Sequence, residues 1–346
     1  MKLNIHVIGC LILIATAFLI TTLAATSVAK PIGADIYYHL TVATYYSHGQ
    51  IIEGLNYSLT HDLFFYPPIF HFLITPLIWS NNPYFYARIL EALLLPLTFA
   101  FTIYLMAKKA SAKAAFITGL CLLGSLAFVD GAIQLRPESL DLLLYPMMLL
   151  AILNVKKKSF ITMAVITVYS HSIAALSSIY GLTIKLYKDH KEWRRTILAG
   201  TAIVAPLLAI SIYYVSGAFK MWFTLAGANT SNPQQTLFWT HPLTFIPIYS
   251  GLTLIGFAFL LKRHKSHFES LLSYGIVFSA LMLPFWADRW LQYITIPLSC
   301  LIGLGLQNVK GWKQIPIYLL LVTIAVGYIA YWVLIGLVHG WWQPGD

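Results

Sequence analysis

Apolar residues along this chain fall into repeated runs of about 20 residues, separated by short polar segments. A helix of about 20 apolar residues is long enough to cross the hydrocarbon core of a membrane, so the pattern predicts an all-α, polytopic helical membrane protein. We find no internal repeat and no soluble domain, and expect a single transmembrane domain over residues 1–346 with about eleven spans. The predicted spans are 5–26, 84–107, 114–130, 138–154, 159–171, 172–187, 196–216, 242–261, 268–286, 290–307 and 314–338.

Two further segments are predicted to be helices that lie on the membrane surface. Residues 66–79 are apolar, but 14 residues of helix reach only about 21 Å and three prolines interrupt them. Residues 35–48 carry polar side chains among aromatic ones, and Asp35 stands near the start of that helix, where a carboxylate is favoured. Both segments belong to a predicted outer loop over 27–82. A second large outer loop is predicted at 216–241.

Basic residues set the orientation of the spans. They cluster at Lys108–Lys113, Lys156–Lys158, Lys185–Arg195, Lys262–Lys265 and Lys310–Lys313. The positive-inside rule places these loops in the cytoplasm, which puts both large loops outside. Of the 22 Lys and Arg residues, 17 lie in or beside such loops, so the net charge of +10 is mainly a topology signal. It indicates membrane lipids, rather than nucleic acid, as partners.

Composition agrees with a membrane protein and gives no sign of a metal centre. The chain is 59% hydrophobic and 10% charged, with a mean hydropathy of +0.74. Its three cysteines all fall inside apolar runs, without CxxC or Cys/His spacing. We therefore interpret them as small buried hydrophobic residues and predict no metal site.

Ionisable residues recur where the predicted spans reach the outer face. Asp35 and His39 are four residues apart and so share a helix face. The segment Arg136–Glu138 follows the third span, Arg289 occupies a short outer turn, and His171 joins two short spans. Each has a purely structural alternative, as a helix cap, an interfacial anchor or a hydrogen-bonding histidine. Charged groups at membrane depth are costly, however, and acids with arginines suit a reaction that activates a nucleophile and stabilises a phosphate leaving group.

Three segments in order resemble the GT-C membrane glycosyltransferases. They are Gly33-Ala34-Asp35-Ile36-Tyr37-Tyr38-His39, Phe65-Tyr66-Pro67-Pro68-Ile69-Phe70-His71 and Tyr86-Ala87-Arg88-Ile89. This group includes the oligosaccharyltransferase catalytic subunit, the protein mannosyltransferases and the aminoarabinose transferases, and the likeness is best over about residues 1–190. The resemblance implies that Asp35 is catalytic and that Arg289 contacts a lipid phosphate. It also implies a sugar donor linked to a polyprenyl or dolichyl phosphate, and transfer with inversion.

The chain departs from the oligosaccharyltransferases in two places. Arg136-Pro137-Glu138-Ser139 stands where those enzymes carry a paired acidic, metal-binding motif, and a WWD-type acceptor motif is missing. The resemblance therefore implies a compact glycosyltransferase without a cofactor, in which a divalent metal is not favoured. Peptide N-glycosylation gains no support.

These observations predict a glycosyltransferase in the cell membrane with its active site on the extracytoplasmic face. Asp35 would be the general base toward a hydroxyl of a glycan, lipid or protein acceptor, and Arg289, with Arg136, would bind the donor phosphate. The remaining substrate contacts are predicted to be Tyr38, His39, Glu138 and His171. The alternatives are a transporter or lipid flippase whose outer charges form a gate, and a non-catalytic subunit. Clustering of the ionisable residues at one face, without a repeat, favours the enzyme.

Overall fold

The computed structural model describes residues 4–27, 30–32, 35–51, 53, 68–170, 173–206, 266–280 and 287–339. Within those ranges the chain forms helices joined by turns, and no β-strand occurs, which confirms the predicted all-α class. The helices are α1 (Ile5–Ser27), α2 (Asp35–Ser47), α3 (Ile69–Ile78), α4 (Pro83–Lys109), α5 (Ala112–Leu123), α6 (Leu126–Ile133), α7 (Pro137–Leu153), α8 (Lys157–Ser170), α9 (Ile173–Asp189), α10 (His267–Ala280), α11 (Ala287–Leu306) and α12 (Gln314–His339). Residues 194–206 are also helical.

Local sequence explains where the long helix α4 begins and ends. The side chain of Asn82 accepts a hydrogen bond from the backbone N–H of Phe85 at 3.0 Å, and Pro83 occupies the first helical position, where no N–H is needed. Lys108 and Lys109 lie in the last turn, where their positive charges interact favourably with the negative end of the helix dipole. The same residues that mark a predicted cytoplasmic loop thus also end the helix.

Most of the predicted helices lie where the hydrophobic pattern placed them. Seven predicted spans correspond to α1, α4, α7, α8, α9, α11 and α12, and the two predicted surface helices correspond to α2 and α3. The predicted span 242–261, the end of 196–216 and the end of 268–286 lie outside the described residues. The predicted 216–241 loop also lies outside them.

One predicted span is not continuous. Residues 114–130 were expected to form a single helix, but α5 ends at Leu123 and α6 begins at Leu126. Ser125 explains the break, because its hydroxyl accepts a hydrogen bond from the N–H of Phe128 at 3.3 Å and so caps a new helix. Hydrophobic residues flank Ser125 on both sides, so the hydrophobic pattern did not predict this cap.

The helices pack closely through small residues. Helices α1, α4 and α5 contact one another, α5 packs on α11, and α4 packs on α7. At the α5–α11 contact a Cβ added to Gly303 would come within 2.6 Å of the Ala114 carbonyl oxygen, so only glycine fits there without a shift. Thr118 donates to the Ser299 carbonyl at 3.2 Å across the same contact. Small residues and interhelical hydrogen bonds are typical of helix contacts in membranes.

Long apolar helices with exposed hydrophobic faces identify an integral membrane protein. Ile5–Ser27, Pro83–Lys109 and Gly311–Tyr331 are long and apolar enough to cross a membrane, by length and composition. Large apolar side chains point outward along α1 and α12, as at Leu11 and Leu319. A soluble protein would rarely expose so continuous an apolar surface, whereas lipid chains would cover it.

Four of the five basic clusters lie in the described part of the chain, and their loops come together at one end of the helix bundle. Lys109 donates to the carbonyl of Leu153 at 3.3 Å, and Lys113 donates to the side chain of Gln314 at 2.8 Å. Lys157 donates to the Glu192 carbonyl at 3.0 Å. Loops that the positive-inside rule assigned to the same side of the membrane thus meet in the structure. That this end faces the cytoplasm stays a prediction.

Candidate functional site

An ion pair between Asp35 and Arg136 joins two distant segments at the end of the bundle opposite the basic loops. Arg136 Nη1 lies 3.6 Å from Asp35 Oδ2. Asp35 is the first residue of α2, and Arg136 immediately precedes α7. The Asp35 side chain is 49% exposed whereas that of Arg136 is 8% exposed. The acid can therefore meet a ligand from outside, while the arginine supports it from within.

Arg136 has hydrogen-bonding capacity that the described residues do not use. Its Nε is buried and has no hydrogen-bond partner in the described part of the chain. The turn that carries it is fixed, because Ser139 donates its hydroxyl to the carbonyls of Gly131, at 2.8 Å, and Gln134. A buried N–H without a partner is costly, so a donor held in this way is suited to an anionic ligand.

Helix α11 adds polar side chains that the sequence did not reveal. The Tyr293 hydroxyl lies 3.4 Å from the carbonyl oxygen of Glu138 and 3.4 Å from Asp141 Oδ2. Glu138 and Asp141, both in the first two turns of α7, are buried. Gln292 packs against Gly131, where an added Cβ would lie 2.5 Å from its Cδ. In the sequence Tyr293 resembles any aromatic residue of a span, and only the polarity of Gln292 could have drawn attention to this face.

His39 is buried and pairs with a second histidine. Its Nδ1 lies 2.9 Å from His71 Nε2, and His39 itself is 2% exposed. The ring of Tyr38 lies 5.2 Å from that of His39 and 6.3 Å from that of His71. Asp35 thus lies against Arg136, and His39 joins α2 to α3 through His71. A substrate contact by His39 stays a prediction.

The tyrosines of α2 are poor candidates for a base. Burial raises the pKa of Tyr46 to about 12. Burial also raises the pKa of Tyr37, and the nearby Tyr84 and Glu91 add to the effect. Both phenols stay protonated near neutral pH and can donate hydrogen bonds.

Two predicted site residues cannot be placed against this arrangement. The backbone of Arg289 lies in the first turn of α11, but its side chain is outside the described residues, and His171 is outside them altogether. Within the described ranges no group of three or more His, Cys, Asp or Glu side chains could hold a metal ion. The roles proposed for Arg289 and His171 stay predictions.

The fold of this chain is similar to that of a protein of known structure. No protein-family model and no curated protein sequence matches the chain. It is similar to the crystal structure of ArnT from Cupriavidus metallidurans bound to undecaprenyl phosphate, with a TM-score of 0.59 and 15% sequence identity over 94% of this chain and 72% of that one. ArnT is a GT-C aminoarabinose transferase. This chain has the GT-C fold. The fold expected from the resemblance is therefore confirmed.

A second structure of ArnT, in the apo state, gives a similar result. Its TM-score is 0.57, with 15% identity over 87% of this chain and 60% of that one. The GT-C fold is thus matched in both the apo and the lipid-phosphate-bound structures. At 15% identity the likeness establishes the fold alone.

Proposed function

We propose that this protein is a membrane glycosyltransferase that moves a sugar from a polyprenyl-phosphate-linked donor to an acceptor hydroxyl on the extracytoplasmic face. The observation that carries the proposal is the pair formed by a half-exposed Asp35 and a buried Arg136, at one end of a GT-C fold. The ArnT structure bound to undecaprenyl phosphate supports a lipid phosphate as the donor's leaving group. The basic loops at the opposite end support an outward-facing site.

In the proposed reaction Asp35 acts as the general base. Its carboxylate accepts the proton of the acceptor hydroxyl while that oxygen attacks the anomeric carbon of the sugar. The bond from this carbon to the phosphate oxygen breaks, its electrons remain on the phosphate, and the anomeric configuration inverts. The exposed position of Asp35 favours this role, because the acceptor has to reach the carboxylate.

Arg136 orients Asp35 and stabilises the charge that develops on the phosphate. A guanidinium group carries five N–H donors in a planar fork, so it can hold a carboxylate with one edge and a phosphate oxygen with another. We propose Arg289 as a further phosphate ligand, with Tyr38, His39, Glu138 and His171 as weaker substrate contacts.

The test is a transfer assay on the purified protein in lipid nanodiscs. Undecaprenyl-phosphate-linked pentoses and hexoses are supplied with candidate acceptors, and acceptor-dependent release of undecaprenyl phosphate is measured. Asp35→Asn keeps the size of the side chain but removes the base, so release should fall by about 10²–10⁴-fold. Asp189→Asn is the matched control, since Asp189 pairs with Lys185 at the end of α9, among the basic loops.

Near-normal release by Asp35→Asn would rule out Asp35 as the base. The same preparation in proteoliposomes separates the proposal from the transporter alternative. A flippase would move the donor between leaflets with its sugar–phosphate bond intact, whereas a transferase breaks that bond.

A further inference from the structure

Glu91 is a carboxylate buried inside helix α4, and the reaction proposed above does not use it. It is 1% exposed. Both of its carboxylate oxygens lie 3.1 Å from the backbone nitrogen of Ile32, whose N–H it accepts. The backbone N–H of Leu135 also lies close enough to interact with this carboxyl group. One side chain thus binds the backbone of two segments that lie about a hundred residues apart in the chain.

These two segments deliver the charged groups of the site. Ile32 stands three residues before Asp35, and Leu135 immediately precedes Arg136. Both anchoring residues are buried. A shift of either segment would change the distance between the Asp35 carboxylate and the Arg136 guanidinium.

The helix that carries Glu91 is itself fixed to α1 by two further hydrogen bonds. Arg88, one turn earlier in α4, donates from Nε to the carbonyl of Ala25 at 2.6 Å. Thr21 donates its hydroxyl to the carbonyl of Ala92 at 2.8 Å. Helix α1 ends at Ser27, just before the Ile32 segment. The part of α4 that carries Glu91 is therefore hydrogen-bonded to α1, the helix that leads into the Ile32 segment.

A carboxylate is an expensive choice if α4 only needs to pack at this point. An apolar side chain would fill the same position in a membrane helix without the cost of burying a polar group. What a carboxylate adds is the ability to accept several N–H groups at once. Without it, the N–H groups of Ile32 and Leu135 would be left buried without this acceptor.

We infer that Glu91 is a positioning residue, one that holds the Asp35 and Arg136 segments in register for the reaction. This inference rests on the proposed function, in which both groups act on one substrate. Misplacement of a catalytic group by about 1 Å can cost about 10²-fold in rate, so such a tether has a direct effect on turnover.

The tether can be tested without any activity, by amide hydrogen exchange on the full-length protein in nanodiscs. In Glu91→Leu, exchange at the amides of Ile32 and Leu135 should become about 10–100-fold faster, because their side-chain acceptor is lost. Glu91→Gln retains one carbonyl oxygen and should give an intermediate rate. Glu269→Gln is the matched control, since Glu269 accepts the backbone N–H of Ser266 at 3.0 Å at the start of α10. It should leave the amides of Ile32 and Leu135 unchanged.

Transfer kinetics then separate positioning from mere structural support. Glu91→Leu should lower turnover by about 10–100-fold, and Glu91→Gln should recover most of it. In an Arg136→Ala background the same Glu91→Leu change should cost less than about threefold, because the pair that it aligns is already broken. A purely structural role would instead give the same factor in both backgrounds.

Each contrary result has its own meaning. Slow exchange at both amides in Glu91→Leu, or fast exchange with unchanged transfer, overturns the inference. Equal costs of Glu91→Leu in the two backgrounds overturn it as well. Normal transfer by Asp35→Asn overturns the proposed function instead, and the exchange result does not depend on that outcome.

Discussion

Replacing Arg136 by alanine tests whether this buried arginine acts in sugar transfer or only stabilises the fold. The change removes a guanidinium that lies 3.6 Å from a carboxylate which is 49% exposed. Because water and salt can replace the lost partner of so exposed an acid, the pair itself contributes about 1 kcal/mol or less to stability. Lost packing of the arginine stem adds a similar amount, so we expect unfolding to shift by only a few degrees.

The expected effect on transfer is much larger. A charge-assisted hydrogen bond to phosphate contributes about 1.5–3 kcal/mol, which corresponds to about one to two decades in rate or donor affinity. Loss of the contact that orients Asp35 lowers turnover further. Arg136→Lys keeps the charge but loses the planar fork, so its activity should fall between those of the wild type and Arg136→Ala.

The assay is undecaprenyl phosphate release over a range of donor concentrations, with thermal unfolding measured on the same samples. Arg194→Ala is the control, since Arg194 lies over the ring of Tyr187 among the basic loops, and its removal should change neither quantity by much. Arg136→Ala with wild-type release would refute the assignment. A loss of transfer that parallels a loss of folded protein would show that Arg136 is structural.

Two further predictions concern orientation and packing. A cysteine introduced at the exposed Asn81, between α3 and α4, should react with an impermeant thiol reagent in intact cells, while one at Lys157 should not; the reverse would invert the membrane orientation proposed here. Gly303→Ala would place a Cβ 2.6 Å from a backbone carbonyl and should cost about 1–3 kcal/mol in unfolding free energy, whereas Gly327→Ala, which meets nothing within 4 Å, should be neutral or slightly stabilising. Equal thermal stability of the two glycine variants would contradict the close α5–α11 contact.

Hydrophobic run length predicted most of the helices because it is a local property of the chain. A helix such as α12 needs only its own apolar residues to be recognised, and the basic loops indicate its direction. The break at Ser125 was missed for the opposite reason. A single hydroxyl that caps a new helix does not interrupt the apolar run around it.

The site was harder to predict because its contacts join distant segments. Asp35 and Arg136 were each expected at the outer face, but their pairing depends on how α2 packs on α3, α3 on α4 and α4 on α7. The partners of His39 and Glu138 also lie in distant segments of the chain. The sequence already included His71 in a segment of the resemblance but did not indicate its contact with His39. Tyr293 became a candidate only when the structure placed it 3.4 Å from the carbonyl oxygen of Glu138.

The distribution of buried polar groups supports the site proposed at this end of the bundle. Arg136, Glu138 and Asp141 are all buried around the start of α7, and Glu91 is buried nearby. Buried charges contribute little net stability, because the cost of removing them from water offsets their mutual attraction. The lysines of the opposite end that hydrogen-bond between loops are at most partly buried, as at Lys109 and Lys113, and can do so at a lower desolvation cost. An asymmetry of this kind is expected where one face of a membrane protein has to hold a charged substrate, and the Asp35–Arg136 pair is the part of it that reaches the surface.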